Sequence, residues 1–510
     1  MTLSRLHCVS LIGLEALLVE VEVDVVKSDK MILVIVGLPD TAVRESKDRV
    51  LTAVKNGGFQ LGLFYSTVNL APGDIKKEGV LYDLPIALGL IRSSGFLKDE
   101  KASFNDYLIV GELALSGALR PLTGALAIAQ LAKDLGKKGV LLPKCNAEEA
   151  ALVQGIPIYG LDHIKDAVQF FQNPSSITPV TNSSFACRQA DFNPSVDFSD
   201  IKGQAHVKRA LEIAVSGGHN IVLSGPPGCG KTLMAKALTG IMPPLTLDEA
   251  VEITRIHSVA GILPEGISLC TQRPFRSPHH TISYAGLIGG GAHPRPGEVS
   301  LAHLGILFLD ELAEFARTVL EVLRQPLEDG KVTISRAHGN YTFPTQFLCI
   351  AAMNPCPCGY LGHPDKPCKD SQLQIDRYRG KISGPLWDRL DIHIDVAPLR
   401  YSEMVQQKSG DSSAVIRQRV IKAREKQNRR FGKTKTNGLM SAADIKTHCA
   451  IDANGWKILQ MAIDHMGLSA RACDRILRVA RTIADLESSN SIEEAHLLEA
   501  LNLRDCTKSR

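Results

Sequence analysis

Eight consecutive residues, Gly225-Pro226-Pro227-Gly228-Cys229-Gly230-Lys231-Thr232, satisfy the pattern GxxxxGK[ST]. Successive backbone N–H groups in such a turn cradle the phosphates of a nucleotide, with the positive end of the following helix behind them. Lys231 then reaches the β- and γ-phosphates, and the Thr232 hydroxyl holds Mg²⁺. Farther along stand Asp310-Glu311 and Asn354. Paired carboxylates beside a phosphate loop suit metal ordering by Asp310 and polarisation of an attacking water by Glu311. Asn354 ends a further apolar run, a place where a lone asparagine commonly forms a turn. The chemistry expected is hydrolysis of ATP with Mg²⁺.

Each of these groups needs a scaffold that delivers it to one place. The phosphate loop lies between an apolar run, Ile221-Val222-Leu223, and a helix-like stretch, Leu233–Leu238. Asp310 and Glu311 end the apolar run Gly305–Leu309, and Asn354 ends Phe347–Met353. Strand-like runs that end in polar groups, one of them entering a helix, read as an α/β region.

The whole chain bounds the reading. At 510 residues it exceeds one ordinary core and calls for several domains. Hydrophobic content of 44% and charge of 22% are those of a globular protein. A net charge of +4 is too small to mark the surface as a nucleic-acid binder, so any such site must be a local patch. The run Leu11–Val25 is broken by Glu15, Glu20, Glu22 and Asp24, unlike a signal peptide, and no apolar stretch approaches a membrane span. Twelve scattered cysteines lack the density of a disulfide scaffold, and a cytoplasmic location is expected.

Composition separates four stretches. Residues 1–171 mix β-rich runs (Met31–Val36, Tyr107–Val110, Gly139–Leu142) with helical patterns (Asp40–Lys55, Ala125–Leu135). Residues 172–195 turn to Asn, Pro, Ser and Thr and read as a linker. A second α/β region covers 196–399, and 400–510 is helical, with a basic helix over Ala414–Phe431 and an amphipathic one over Ala472–Leu486.

Several longer phrases accompany the nucleotide motifs: Arg273–Ser283 (RPFRSPHHTIS), Gly289–His303 (GGGAHPRPGEVSLAH), Ser383–Asp391 (SGPLWDRLD) and Leu468–Glu487 (LSARACDRILRVARTIADLE). With them the chain resembles the YifB/ComM group of magnesium-chelatase-like AAA+ ATPases over nearly its full length. The resemblance implies an N-terminal ribosomal-S5/Lon-protease-like α/β domain (1–171), an AAA+ P-loop NTPase core (196–399) and a C-terminal helical lid (400–510). It implies a homo-oligomer, expected to be a hexameric ring with no membrane. Asn354 would serve as the sensor that hydrogen-bonds the terminal phosphate or the attacking water, Arg389 as a finger reaching the neighbouring subunit's nucleotide, and Arg471 as a second sensor. A ComM-like member would couple ATP hydrolysis to movement along branched or single-stranded DNA as a branch-migration helicase. The alternative is a protein-remodelling ATPase of the magnesium chelatase kind, with no DNA activity.

Two inserts are expected to line the pore of such a ring. One is Ala285–Glu298. The other is Asp329–Pro344, read as a β-hairpin turning at Gly339-Asn340, where Lys331, Arg336 and His338 supply phosphate contacts that are blind to base sequence. The charge of the Ala414–Phe431 helix is spread around its axis, which reads as a solvated face or a subunit contact. Cys356, Cys358 and Cys368 resemble the family's paired-cysteine knuckles, which would bind Zn²⁺, but Asp370 stands at the expected fourth cysteine. A carboxylate or an imidazole completes a zinc site, so Asp370 and His363 are both candidates beside a metal-free loop of three thiols.

Lon-type peptidases pair a serine nucleophile with a lysine base, and the phrases Lys77-Glu78-Gly79, Asp83–Ala87 and Gly111-Glu112-Leu113 align this chain with them. The dyad positions hold Leu81 and Leu126, neither of which attacks a peptide or moves a proton. Purified protein incubated with casein and Mg-ATP should therefore leave it intact; release of acid-soluble peptides would reveal a nucleophile elsewhere.

Overall fold

Alternating side chains in Glu15–Lys27 send Val19, Val21 and Val23 to one face, the pattern of a strand covered on one side. In the computed structural model this strand pairs antiparallel with Ser4–Ile12, from Ser4↔Val23 to Ile12↔Glu15, around Gly13, whose φ of 61° favours glycine. Described are residues 3–73, 77, 79–97, 100–180, 196–264, 266–291, 294–336, 339–398, 410–432, 435–466 and 468–504. Most of the stretch read as a linker lies outside these residues.

The chain divides into two units: residues 1–188 with 247–271, and 189–246 with 272–510. The first unit is built on a mixed seven-stranded sheet, ordered Ile32–Val36, Phe64–Ala71, Glu15–Lys27, Ser4–Ile12, Tyr107–Ile109, Gly139–Pro143 and Ile158–Leu161. Helix Asp83–Ser93 is buried along nearly its whole length against the sheet. It comes so close that a Cβ at Gly89 would lie 2.5 Å from Val23 Cγ2. Asp83 at its start is fully buried and accepts from Arg49 Nε (2.5 Å), Arg49 Nη2 (3.0 Å) and Leu113 N (3.1 Å). Leu81 and Leu126 are both core residues.

Residues 247–271 sit in the sequence between the phosphate-loop helix and Asp310, yet they pack in the first unit. Helix Leu247–Ala260 buries Ala250, Ile253 and Ile256. Ser258 Oγ accepts from Gly124 N at 2.8 Å, at the start of helix Ala125–Asp134, and buried Glu149 accepts from Leu126 N at 3.2 Å. Burial holds the Glu149 carboxyl above its ordinary range, opposed by hydrogen bonds from Ser258, Leu126 N and Asn146.

The second unit contains a parallel five-stranded sheet, ordered Phe275–Arg276, Ile306–Leu309, Leu348–Met353, Ile221–Ser224 and Ile392–Asp395. The three motif-bearing runs share this one sheet, with the phosphate-loop strand between two partners. Helices Ala205–Gly217, Lys231–Ile241, Ser413–Phe431, Ala470–Leu486 and Glu494–Asn502 add their apolar faces to the same core. The basic helix spends several of its arginines inside this unit: Arg419 on Glu212 (2.6 Å), Arg424 on Val215 O (2.7 Å) and Arg430 on Asp485 (2.5 Å). Part of its charge is thus structural, because Arg419 and Arg430 meet acids from elsewhere in the chain and Arg424 a carbonyl oxygen.

A buried polar layer underlies the N-terminal ends of the central strands. Asn220 donates its N–H to Asp391 (3.0 Å), and its side-chain oxygen accepts from Cys349 N (3.0 Å). His219 bonds Thr482 Oγ1 at 2.7 Å and lies 3.8 Å from Asp391, with Arg424, Arg475 and Arg478 around it. His393 contacts Leu390 O at 3.1 Å near Arg504. Burial lowers both imidazoles to about 4. Both stay neutral in the folded chain and take up a proton on unfolding below about 6.5. Stability present above 6.5 is therefore lost as pH falls from 6.5 towards 4, by up to about 3 kcal/mol per histidine. Melting at pH 7.5 and 5 should show His219→Gln less stable than the native chain at pH 7.5 but with a smaller drop to pH 5. An equal drop would place the acid sensitivity elsewhere.

Candidate nucleotide site and cysteine cluster

The phosphate loop leaves the C-terminal end of strand Ile221–Ser224 and enters helix Lys231–Ile241. Glycine is demanded at both ends of this turn. A Cβ at Gly225 would lie 2.4 Å from Val396 O, and Gly230, which caps the helix, has φ 87°. The helix N-terminus thus points its free N–H groups at the place where phosphates would sit.

Lys231 Nζ donates to Gly225 O (2.6 Å), Pro226 O (3.0 Å) and Asn354 Oδ1 (3.3 Å). Burial holds its pKa below the ordinary lysine value. Thr232 Oγ1 donates to Asp310 Oδ2 at 2.8 Å, and Asp310 Oδ1 accepts the Glu311 N–H at 3.0 Å. The parallel register brings this about: Ile306–Leu309 and Ile221–Ser224 both pair with Leu348–Met353, so all three strands end on one edge. Thr232 with Asp310 offers two oxygens to a Mg²⁺ ion, and Lys231 with the loop N–H groups offers positive charge to phosphates.

Glu311 follows immediately in a left-handed conformation, φ 52°, which is strained for a glutamate. Its Oε2 lies 3.2 Å from His280 Nδ1, and the His280 ring lies against His279 with centroids 4.1 Å apart. In the sequence His280 stands within a family phrase and draws no role. An adjacent histidine pair ahead of the paired acids was the available signal.

Other expected residues are not gathered at the phosphate loop. Arg389 is nearly buried and engages Glu328, Arg324 O (3.1 Å) and Pro385 O (2.8 Å). It precedes strand Ile392–Asp395, whose first residue pairs with Ile221 and whose last pairs with Ser224. Arg389 therefore lies at the opposite end of the sheet from its own phosphate loop. Arg471 is exposed in the first turn of Ala470–Leu486.

The second insert is a hairpin, Lys331–Arg336 against Gly339–Pro344. Its register pairs Arg336 with Gly339 and Ser335 with Asn340. Gly339 and Asn340 thus belong to the returning strand, because strand pairing includes the dipeptide that looked like a turn. Lys331 and Arg336 are exposed while Val332 and Ile334 face inward; His338 lies outside the described residues. The other insert is a short helix, Tyr284–Ile288, then a two-stranded piece, Gly289–Gly290 with Arg295–Pro296. The two inserts touch: a Cβ at Gly289 would meet Ile334 Cδ1 at 3.2 Å, and one at Gly290 would meet Arg336 Nη2 at 3.3 Å.

The three knuckle thiols converge, with Sγ separations of 3.4 Å (Cys356–Cys358), 3.5 Å (Cys358–Cys368) and 3.7 Å (Cys356–Cys368). With Zn–S bonds of about 2.3 Å, a tetrahedral thiolate site has edges of about 3.75 Å. Asp370 Oδ2 completes the group, 3.8 Å from Cys368 Sγ while accepting Cys358 N at 2.8 Å. His363 turns instead to its own loop, where Nδ1 accepts from Asp365 N and Lys366 N, both at 3.1 Å. Of the two candidates for the fourth position, Asp370 is the one brought to the thiols.

Comparison with known proteins gives the family. Residues 197–404 match the family described as magnesium chelatase, subunit ChlI; residues 21–146 match subunit ChlI of Mg-chelatase, and residues 410–504 its C-terminal family. The chain is 40% identical over 507 residues to the uncharacterised protein YifB of Escherichia coli (strain K12), covering 99% of this chain and 97% of that one. It is 41% identical over 511 residues to the competence protein ComM of Haemophilus influenzae, covering 99% and 98%. A shorter match, 32% over 152 residues, joins 28% of the chain to 27% of Lon protease 2 of Bacillus subtilis. With the phosphate loop, its acids and these full-length relatives in agreement, the chain belongs to the YifB/ComM group of magnesium-chelatase-like ATPases.

Proposed function

We propose that this protein is a ring-forming AAA+ ATPase, hexameric and cytoplasmic, that converts ATP hydrolysis into movement along branched or single-stranded DNA. One observation carries the reading: Lys231 bonds Asn354 and Thr232 bonds Asp310 at one edge of the sheet, whereas Arg389 is held at the far end. In this reading Gly225–Thr232 bind the phosphates, and Thr232 and Asp310 hold Mg²⁺. Glu311 polarises the water beside Asn354. Arg471 is a second sensor of the nucleotide in its own subunit or in the neighbour, and Arg389 serves a neighbouring subunit's nucleotide, exchanging Glu328 for the transferred phosphate. A guanidinium delivered there contributes about 10³–10⁵ in rate.

Three further features fit the proposal. The Lon protease match supports an S5-like fold for residues 1–171, there as a docking or assembly domain, with the helices after residue 400 as a lid. A relative named for competence, together with Lys331 and Arg336 exposed on a hairpin against a glycine-rich insert, supports DNA as the track. Cys356, Cys358, Cys368 and Asp370 would hold a structural Zn²⁺, and close-set free thiols suit a reducing cytoplasm. A second reading, a protein-remodelling motor without DNA activity, is favoured by the chelatase description of all three matched stretches.

Four-way-junction DNA should stimulate ATP hydrolysis and undergo strand movement; neither effect would favour the protein remodeller. Lys331→Ala with Arg336→Ala should lower the slope of DNA affinity against salt, by about one for each phosphate no longer neutralised, and leave DNA-free hydrolysis unchanged. An unchanged slope removes the hairpin from the DNA site. Lys231→Ala and Arg389→Ala should each abolish hydrolysis, the second with nucleotide binding intact. Mixed rings of the two should regain activity at interfaces where an intact loop faces an intact arginine. Mixtures that stay inactive while subunits exchange would show that the site is not shared.

A further inference from the structure

The cysteine cluster and the nucleotide site are built on one short piece of chain. Asn354, which accepts from Lys231, is separated from Cys356 by Pro355 alone. The knuckle turn closes with Gly359 N donating to Cys356 O at 3.0 Å. Gly359, at φ 82°, lies directly on the phosphate loop: a Cβ there would sit 2.7 Å from Pro227 Cδ and 3.8 Å from Asn354 Cγ. The other end of the cluster returns to the same place. Cys368 and Asp370 lead into helix Gln372–Arg379, capped by Ser371, whose last turn grips the end of the asparagine strand. There Arg379 Nε donates to Pro355 O at 3.3 Å, and the Tyr378 phenol bonds the Asn354 backbone.

The four ligand atoms thus close loop 356–370 at its two ends, and both ends bear on Asn354. Among the described residues, the contacts drawing those ends together include the Asp370 carboxylate on Cys358 N and the contacts between the thiols. Coordination of one ion by these four groups would replace weak contacts with bonds and remove freedom from the loop, as closing any flexible loop does.

We propose that the Cys356–Cys358–Cys368–Asp370 centre regulates the nucleotide site: with a thiolate-binding divalent ion of the Zn²⁺ class in place, loop 356–370 holds Gly359 on Pro227 and Asn354 on Lys231, so that metal and nucleotide bind cooperatively. The proposal rests on the readings of the cluster as a metal centre and of the phosphate loop as an ATP site. Because coupling between two binding sites is reciprocal, each ligand tightens the other by the same factor.

Full-length protein, stripped of transition metal and returned to excess Mg²⁺, is loaded with Co²⁺. Thiolate-to-cobalt charge-transfer absorption then reports the cysteine centre alone, since Thr232 and Asp310 offer only oxygen. The affinity of a non-hydrolysable ATP analogue is measured with and without Co²⁺, and that of Co²⁺ with and without the analogue. Both should tighten by the same factor, about fivefold or more. Gly359→Ala, strained at φ 82° and pressed on Pro227, should keep the charge-transfer band and lose the factor. A normal band with unchanged nucleotide affinity overturns the coupling alone. Absence of the band overturns it together with the metal reading, and failure of the analogue to bind either form overturns it through the ATP-site reading. The reciprocity in the native chain decides the matter even if Gly359→Ala loses the band.

Discussion

Parallel pairing of the strands in the second unit is the constraint on which the site depends. Parallel strands that share a register end together, so whatever follows each of them is delivered to one edge. Ser224, Leu309 and Met353 are the last residues of three such strands, and the phosphate loop, Asp310-Glu311 and Asn354 come next in each case. No long-range search by side chains is needed. The 2.8 Å contact between Thr232 and Asp310 and the 3.3 Å contact between Lys231 and Asn354 are consequences of strand order.

The same pairing gives the sheet a second edge of different chemistry. Where the strands begin, Asn220, Asp391, His219, Thr482 and Arg475 form a buried network that ties strand starts to the C-terminal helices. Asp485 is a second hub, held by Arg430, Arg481 and Asn437. Buried carboxylates are tolerated here because each meets several donors, and losing any one donor would leave charge uncompensated. Arg389 issues from this edge, held by Glu328 and two carbonyl oxygens.

In the first unit Leu81 and Leu126 are core residues. The nearby polar element is Glu149, which satisfies the Leu126 N–H, while Ser258 satisfies that of Gly124. Both acceptors serve free N–H groups at the start of helix Ala125–Asp134, where an acidic or hydroxyl acceptor is most effective. Residues 247–271 are thus part of this unit's structure although the sequence places them inside the ATPase region.

Local features were legible in the sequence because their physics is local. A phosphate loop is a run of consecutive residues whose backbone does the work, and a strand ending in two acids keeps that order wherever it lies. The expected helices over Asp40–Lys55 and Ala125–Leu135 appear as Thr41–Asn56 and Ala125–Asp134, since capping and periodicity are read within a few residues. What tertiary structure alone decided are contacts between distant segments: His280 on Glu311, Glu328 on Arg389, Gly359 on Pro227, and Asp370 rather than His363 beside the thiols. Each depends on strand order and on which loops lie side by side, and neither leaves a periodic trace. By itself the sequence determined which groups can do chemistry; the parallel register decided which of them meet, because it sets the edge of the sheet from which every loop emerges.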